Sequence, residues 1–260
     1  MGLIDSHCHL YYEPYSLDLK KCIDDCKDDN VNLLLSIGVD YQTSFENIKI
    51  AENFKEVYCT IGLHPNNVKE KSAELNKIFN LVYTSNKIIG VGECGIDLFR
   101  SKNNLNEQIK VFEMQIEFAI DKKLPLIIHS RDSHDQIIKV INNYKNSNFK
   151  FVMHCFSGSV SYAKKYLDLG GYISFSGILT FKNATELHNT CKEVPLDKIL
   201  VETDSPYLSP HPFRGKTNHP KNTVFVAKKL AEIKNQNFDE VSKITTDNFC
   251  KLFNIKYSVN

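Results

Sequence analysis

The sequence predicts an α/β protein, a TIM-like (β/α)8 barrel that forms a single domain over residues 1–260. Three observations carry this expectation. Eight short apolar runs recur along the chain, and a segment long enough for a helix follows each. The 260 residues, 42% of them hydrophobic, suffice for one full core and match the size of such barrels, roughly 250 residues. No stretch rich in Pro, Gly or Ser interrupts the chain to mark a linker. A doubly wound sheet usually needs fewer strands.

The predicted strands, in order, are "LIDSHCH" from Leu3, "NLLLSIG" from Asn32, "VYCTIGLH" from Val57, "IIGVGEC" from Ile88, "LPLIIHS" from Leu124, "FVMHCF" from Phe151, "GYISFSG" from Gly171 and "KILVETD" from Lys198. Between the fourth and fifth, Leu105, Ile109, Phe112, Ile116 and Ile120 are spaced three or four apart, one face of an amphipathic helix. Asn104 followed by Glu107 offers its cap, and Lys122 and Lys123 suit its negative end. Comparable stripes follow most other strands, and the last, at Val241, Ile244, Asn248 and Leu252, closes the domain. The seventh unit is the weakest, because "KNATELHNTCKEV" is a poor helix. The Asn- and Lys-rich stretches "NNYKNSNFK" and "KNQNF" fall between apolar segments and read as surface loops or exposed helix faces.

Composition narrows the function. A formal net charge of +1 exerts no global pull on nucleic acid or membrane, so local groups must hold any polyanion, which argues against a tight sequence-specific DNA binder. From Met1 the chain enters "GLIDSHCHL" without a basic leader or an apolar span. The expectation is a cytoplasmic protein, small enough for nuclear access, with no membrane association and no obligate protein partner. Eight scattered cysteines with no CxxC pair suggest buried free thiols rather than a thiolate zinc site or a disulfide scaffold.

In such a barrel the chemistry lies at the carboxyl ends of the strands. The predicted strands end on His7 and His9, Gly38, His64, Glu93, His129, His154, Ser176 and Asp204. Five of the nine histidines fall there; His134, His188, His211 and His219 do not. Residues two apart on a strand share a face, so His7 and His9 reach one point while Cys8 turns away. The same alternation turns Cys94 and Cys155 into packing residues. Imidazoles and carboxylates without thiolate suit Zn²⁺, Mn²⁺, Fe²⁺ or, less comfortably, Mg²⁺. Six potential ligands, His7, His9, Glu93, His129, His154 and Asp204, are too many for one four-coordinate ion. The reading is a two-metal site with Glu93 as the bridge. Two ions about 3.5–4 Å apart suit phosphate ester hydrolysis, and Asp204 could bind one and take a proton from the attacking water.

Each piece has a plainer reading. An HxH pair alone is a weak signal, and His64 in "GLHP" could cap the helix after Pro65. Asp204 in "TDSP" could be turn chemistry. Glu93, a buried carboxylate with no cationic neighbour in sequence, is costly unless a metal pairs it. The six together outweigh these readings. Only Arg100, Arg131 and Arg214 among the 32 basic residues are arginine, and each follows a strand-end motif. Bidentate phosphate binding explains that choice; a structural pair, such as Arg131 with Asp132, is the alternative. Lys182 and Lys216 would add point charges to the rim.

The motifs "DSHCHL", "GLHP", "GECGID", "LPLIIHSRD", "HCFSG", "ETDSPYL" and "RGKTNHP" resemble, in this order, those of the TatD-type metal-dependent deoxyribonucleases of the metallo-dependent hydrolase superfamily. The resemblance implies a TIM-like barrel and DNA hydrolysis, exonucleolytic in kind, with two divalent ions (Mg²⁺, Mn²⁺ or Zn²⁺) and DNA strand ends or single strands as substrate. It makes His7, His9, Glu93 and Asp204 ligands of one metal, makes Glu93, His129 and His154 ligands of the second, and puts His64 by the scissile phosphate. Two departures stand out. Leu98 precedes Phe99 where many members have an aromatic, and Asn218, His219 and Pro220 stand where many have Asn-Glu-Pro. A binuclear hydrolase of small phosphate esters or amides is the alternative, although many of those bridge their metals through a modified lysine where this chain has Glu93. A decayed barrel serving as a scaffold is a third reading, disfavoured because all six ligand positions hold competent ligands.

Overall fold

The computed structural model describes residues 2–100, 102–147 and 149–257; Met1, Ser101, Asn148 and the last three residues of the expected domain lie outside the described residues. All eight predicted strands form: β1 (Leu3–Cys8), β2 (Val31–Ser36), β3 (Val57–Ile61), β4 (Ile88–Asp97), β5 (Leu126–Arg131), β6 (Phe151–Met153), β7 (Tyr172–Phe175) and β8 (Ile199–Val201). They make one eight-stranded sheet in sequence order. The ladders β3/β4, β4/β5, β5/β6 and β7/β8 are parallel. Beyond β8 the chain returns to β1: Asp204 N–H donates to His7 O at 2.9 Å, His9 N–H donates to Ser205 O at 2.9 Å, and Cys8 and Ser205 form a parallel bridge. Sequential parallel strands with a seam from last to first make a (β/α)8 barrel. Strands β1 and β4 are buried along their whole length, as strands covered on both faces are.

The helices are α1 (Leu19–Asp28), α2 (Tyr41–Asn53), α3 (Val68–Lys71), α4 (Leu75–Asn80), α5 (Leu105–Lys122), α6 (His134–Asn143), α7 (Val160–Asp168), α8 (Thr185–Glu193), α9 (Thr223–Lys234) and α10 (Phe238–Phe253). Asp40 starts α2 with a capping box, accepting the Thr43 N–H at 2.8 Å while the Thr43 hydroxyl accepts the Asp40 N–H at 3.0 Å. The Lys71 ammonium pairs with the other Asp40 oxygen.

Helix α5 departs from its predicted stripe. Phe112 and Ile116 are buried, but Leu105, Ile109 and Ile120 are half-buried, and Gln108 and Gln115 join the buried face with Val111 and Ala119. The expected cap is absent, since the Asn104 side chain instead accepts from Gln108 Nε2 at 2.7 Å. Helix α8 forms despite its composition and without a side-chain cap. Tertiary packing holds it: Leu187, Thr190 and Cys191 are buried, and the Thr190 hydroxyl donates to Gly158 O. In α10, Val241, Asn248 and Leu252 are buried as expected while Ile244 is half-buried, and Asn248 Nδ2 donates to Leu196 O and Ile199 O.

The chain groups into two compact units, each assembled from separate segments. The first comprises residues 1–35, 155–167 and 172–260, with Leu3, Phe175, Leu200, Leu230 and Phe249 in its core. The second comprises residues 36–154 and 168–171, with Ile61, Val91, Phe112, Ile128 and Phe151 buried. Each such side chain contributes about 1.5–3 kcal/mol by leaving water. Among the described residues, no helix is long and apolar enough to cross a membrane.

Candidate metal centre

In the second unit, Glu93 sits where β4 departs from regular pairing. Gly92 has φ 141°, and a Cβ there would lie 2.6 Å from Ile127 O, so only glycine fits. The ladder to β5 shifts register between Val91 and Cys94, and the Glu93 N–H donates to Gly38 O at 2.8 Å. The buried Glu93 carboxylate gathers three imidazoles on one oxygen. His129 Nδ1 and His154 Nε2 are each 2.9 Å from Oε1, and His64 Nε2 is 3.3 Å away. Burial would push the Glu93 carboxyl up, but the imidazoles around it, His154 foremost, hold it well below the ordinary value.

The two readings of His64 are both realised. Its Nδ1 accepts the Asn66 N–H at 3.1 Å, capping the short 3-10 helix Pro65–Asn67. In the neutral ring the proton then sits on Nε2, so the edge facing Glu93 is a donor rather than a metal-ligating lone pair. Burial lowers the His64 pKa and favours that neutral ring. His129 has the opposite arrangement. Its Nε2 faces Asp97 Oδ2 at 3.3 Å, which leaves Nδ1 as the atom that could ligate an ion beside Glu93. Although burial works against charge on His129, its bonds to Asp97 and Glu93 raise its pKa.

Asp97 was not singled out by sequence. Its Oδ1 accepts the N–H groups of Phe99 and Arg100 at 2.9 and 2.8 Å, and Oδ2 also accepts from Asn66 Nδ2 at 3.2 Å. The two buried glutamines of α5 hold strand ends beside these residues. Gln115 exchanges both its amide groups with the backbone of Leu63, at 2.8 and 3.1 Å, and Gln108 does the same with Asp97, at 2.8 and 3.2 Å.

In the first unit, His7 and His9 present Nε2 to the same Asp204 oxygen at 3.5 and 3.4 Å, with ring centroids 5.1 Å apart. His9 lies one residue past β1, yet its bond to Ser205 O keeps the strand alternation. Asp204 has a left-handed backbone, φ 56°, a conformation that a short polar side chain tolerates. Asp5 accepts from the Thr203 N–H and hydroxyl at 2.9 and 2.5 Å and from the His7 N–H at 3.3 Å, tying together the segments that carry His7 and Asp204. Burial outweighs these bonds and pushes its pKa well up. Asn218 Nδ2 donates to Thr203 O and Tyr207 O, bracing the turn after Asp204. Glu202, also buried, accepts the Cys155 N–H at 2.7 Å.

The thiols Cys8 and Cys94 are buried and donate to Leu35 O and Ile127 O, as packing residues do. For Cys155 the alternation argument does not apply. It lies past β6 with φ 44°, half-buried, and its Sγ is 3.2 Å from Ser176 Oγ. The three arginines are exposed. Arg131 lies over the Phe99 ring at 4.1 Å and Arg214 over Phe181 at 4.5 Å, so both stack on an aromatic face instead of forming the structural ion pair considered for them; Arg100 lies in the loop held by Asp97.

Thus one unit gathers His64, Glu93, His129 and His154, and the other gathers His7, His9 and Asp204. In the His7, His9, Asp204 group, one ligand atom per residue lies within 4.8 Å of the others, and His129 Nδ1 and His154 Nε2 each lie 2.9 Å from Glu93 Oε1. Imidazole nitrogen and carboxylate oxygen form the donor set that Zn²⁺ and Mn²⁺ accept, so the residues fit a divalent ion.

Such a donor set at the strand ends of a (β/α)8 sheet defines a metal-dependent hydrolase. The chain belongs to the TatD family: residues 4–254 match the family model described as "TatD related DNase". It is 36% identical to the metal-dependent hydrolase YabD of Bacillus subtilis, over 97% of this chain and 99% of that protein. It is 38% identical to the metal-dependent hydrolase BU355 of Buchnera aphidicola, over 98% and 100% of the two chains. The crystal structure of YjjV, a TatD homolog from Escherichia coli, superposes with a TM-score of 0.93 at 27% identity, covering 98% of each chain.

Proposed function

We propose that this TatD-family hydrolase is a deoxyribonuclease that shortens DNA from strand ends by a two-metal mechanism. The observation that carries the reading is the convergence of three imidazoles on Glu93 Oε1. His7, His9 and Asp204 would hold one ion and His129 and His154 the other, with Glu93 counted in both sets, as the motif resemblance implies; Mg²⁺, Mn²⁺ and Zn²⁺ are the candidate ions. Bound there, the ions would activate water and offset charge on the phosphate.

The chain's own groups have distinct tasks. The His64 Nε2–H donates to a phosphate oxygen. Asp97 fixes the ring of His129. The Asp204 carboxylate accepts the proton of the attacking water. Arg131 and Arg214, steadied by their aromatic partners, keep guanidinium edges for phosphate, and Arg100 adds a third fork.

Support for a nucleic acid rather than an amide comes from rings beside the ligand His9. Tyr11, Tyr12 and Tyr207 lie 5.7, 6.1 and 6.2 Å from its ring, and Tyr12 and Tyr207 are 38% and 50% exposed, faces on which unpaired bases stack. These local groups supply what a net charge of +1 does not. The enzyme would act in the cytoplasm without an obligate protein partner.

The test is a substrate panel on metal-restored protein: single- and double-stranded DNA, RNA, an aryl phosphate and an N-acyl amide. Preferred release of nucleotides from DNA ends is expected. Turnover of only the aryl phosphate or the amide would overturn the reading.

A further inference from the structure

Outside these ligand sets, the first unit holds a second chemistry. Cys22 and Cys26, four residues apart on α1, share one helix face and are buried. His219 precedes the 3-10 helix Pro220–Asn222 and caps it through Nδ1, which accepts the Lys221 N–H at 3.2 Å. Its Nε2 faces α1, 3.9 Å from Asp25 Oδ2. One ligand atom from each of Cys22, Cys26 and His219 lies within 4.8 Å of the others.

We propose that Cys22, Cys26 and His219 form a binding site for a soft metal ion, Zn²⁺ in the first instance, with Asp25 or water as fourth ligand. A tetrahedral zinc ion with sulfur at about 2.3 Å and nitrogen at about 2.0–2.1 Å sets its donors roughly 3.4–3.8 Å apart, so donors now within 4.8 Å of one another would draw in by roughly 1 Å or less to hold it. Two thiolates select zinc over the Mg²⁺ and Mn²⁺ that suit an imidazole and carboxylate set.

The two thiols of the cluster differ in protonation from each other and from the other cysteines. Burial pushes Cys8, Cys59, Cys94 and Cys191 up; within the cluster the Cys26 thiol and the His219 ring pull Cys22 down against burial, while the hydrogen bond to Cys22 and burial push Cys26 up. An ion bound there would therefore have to displace the proton of Cys26, so its uptake should be accompanied by proton release. Binding through Nε2 moves the ring proton to Nδ1 and gives up the cap to Lys221, one neutral hydrogen bond against two metal–thiolate bonds.

The ion would join α1 to the segment carrying Asn218, whose amide braces the Asp204 turn through Thr203 O and Tyr207 O. It also gives the departure at His219 a physical role. A CxxC spacing does not describe this pair, because a helix face brings together cysteines four apart.

Cobalt substitution tests this on the full chain, since Co²⁺–thiolate coordination produces an intense near-ultraviolet charge-transfer band that nitrogen and oxygen ligands do not. Protein stripped of metal under reducing conditions and titrated with Co²⁺ should develop the band at a single equivalent and lose it on adding Zn²⁺. Cys22→Ser and Cys26→Ser should each cut it by half or more and the double variant should abolish it, while all retain the band-free cobalt of the other ligand sets. His219→Asn, which preserves a capping oxygen, should weaken Zn²⁺ binding at the thiolate site by roughly tenfold or more. Cobalt uptake by the wild-type chain with no thiolate band would overturn the proposal. So would thiol counting that shows Cys22 and Cys26 joined as a disulfide in protein purified without reductant, with no metal recovered at the cluster after reduction.

Discussion

Replacing Asp97 by asparagine keeps its shape and removes its charge, which isolates its effect on His129. The carbonyl oxygen of the new amide would stay on the N–H groups of Phe99 and Arg100, which Asp97 now accepts at 2.9 and 2.8 Å, so the loop should hold. The NH₂ of that amide would then face two donors, the His129 Nε2–H at 3.3 Å and the Asn66 Nδ2–H at 3.2 Å. The ring of His129 loses its acceptor and with it the preference for ligating through Nδ1. Loss of an acceptor behind a metal-bound imidazole costs about 10–100-fold in metal affinity or turnover, about 1.4–2.8 kcal/mol. Metal competition titration beside kcat/KM on a DNA oligonucleotide reads both quantities. Affinity and turnover within about twofold of the parent would refute the orienting role of Asp97.

Other perturbations separate structure from chemistry. His64→Asn retains a capping oxygen but loses the Nε2–H, so turnover should fall roughly 100-fold or more with an unchanged Tm; full activity would leave His64 a cap alone. Gln115→Ala strands the buried N–H and C=O of Leu63, and at about 1–3 kcal/mol for each group the thermal midpoint should drop by roughly 5–15 °C, whereas an unchanged midpoint would deny the clamp. Burial pushes the Asp40 carboxyl up, but Lys71 and Thr43 hold it below its usual 3.8. A depressed carboxyl adds stability that is complete above that usual value and lost as pH falls through the folded pKa. Urea midpoints of the wild type should therefore fall more steeply than those of Asp40→Asn as pH drops below about 4, and parallel curves would contradict the pairing. Each ion at 100-fold over its Kd should stabilise the fold by about 2.7 kcal/mol, raising Tm by roughly 5–10 °C per bound ion over the chelated protein.

Much of this architecture is legible in the sequence because strand runs and strand-end residues follow simple periods. His7 and His9, two apart, turn to the same Asp204 oxygen as the alternation requires. The same rule applied from Glu93 through Gly95 to Asp97 would have found the partner of His129. What escaped the sequence depends on distant contacts. Gln108 and Gln115 occupy a buried helix face only because strand-end backbone groups at Asp97 and Leu63 await them, and Asp5 finds its partners 198 residues away. Helix α8 is weak by local propensity, which its buried Leu187, Thr190 and Cys191 override. The aromatic partners of Arg131 and Arg214 lie 32 and 33 positions away in the chain, too far for any local pattern to reveal.

The central claim is that Glu93 and its imidazoles form a metal-dependent nuclease centre. It is tested most directly by a cleavage time course on end-labelled single-stranded DNA. Metal-stripped protein is re-supplied in turn with Mg²⁺, Mn²⁺ or Zn²⁺, beside a folded Glu93→Gln variant whose metal content is measured in parallel. Stepwise shortening that returns with metal, and that the variant loses together with bound metal, is the predicted result. A variant as active as its parent, or a parent that leaves DNA intact with every ion, would contradict it.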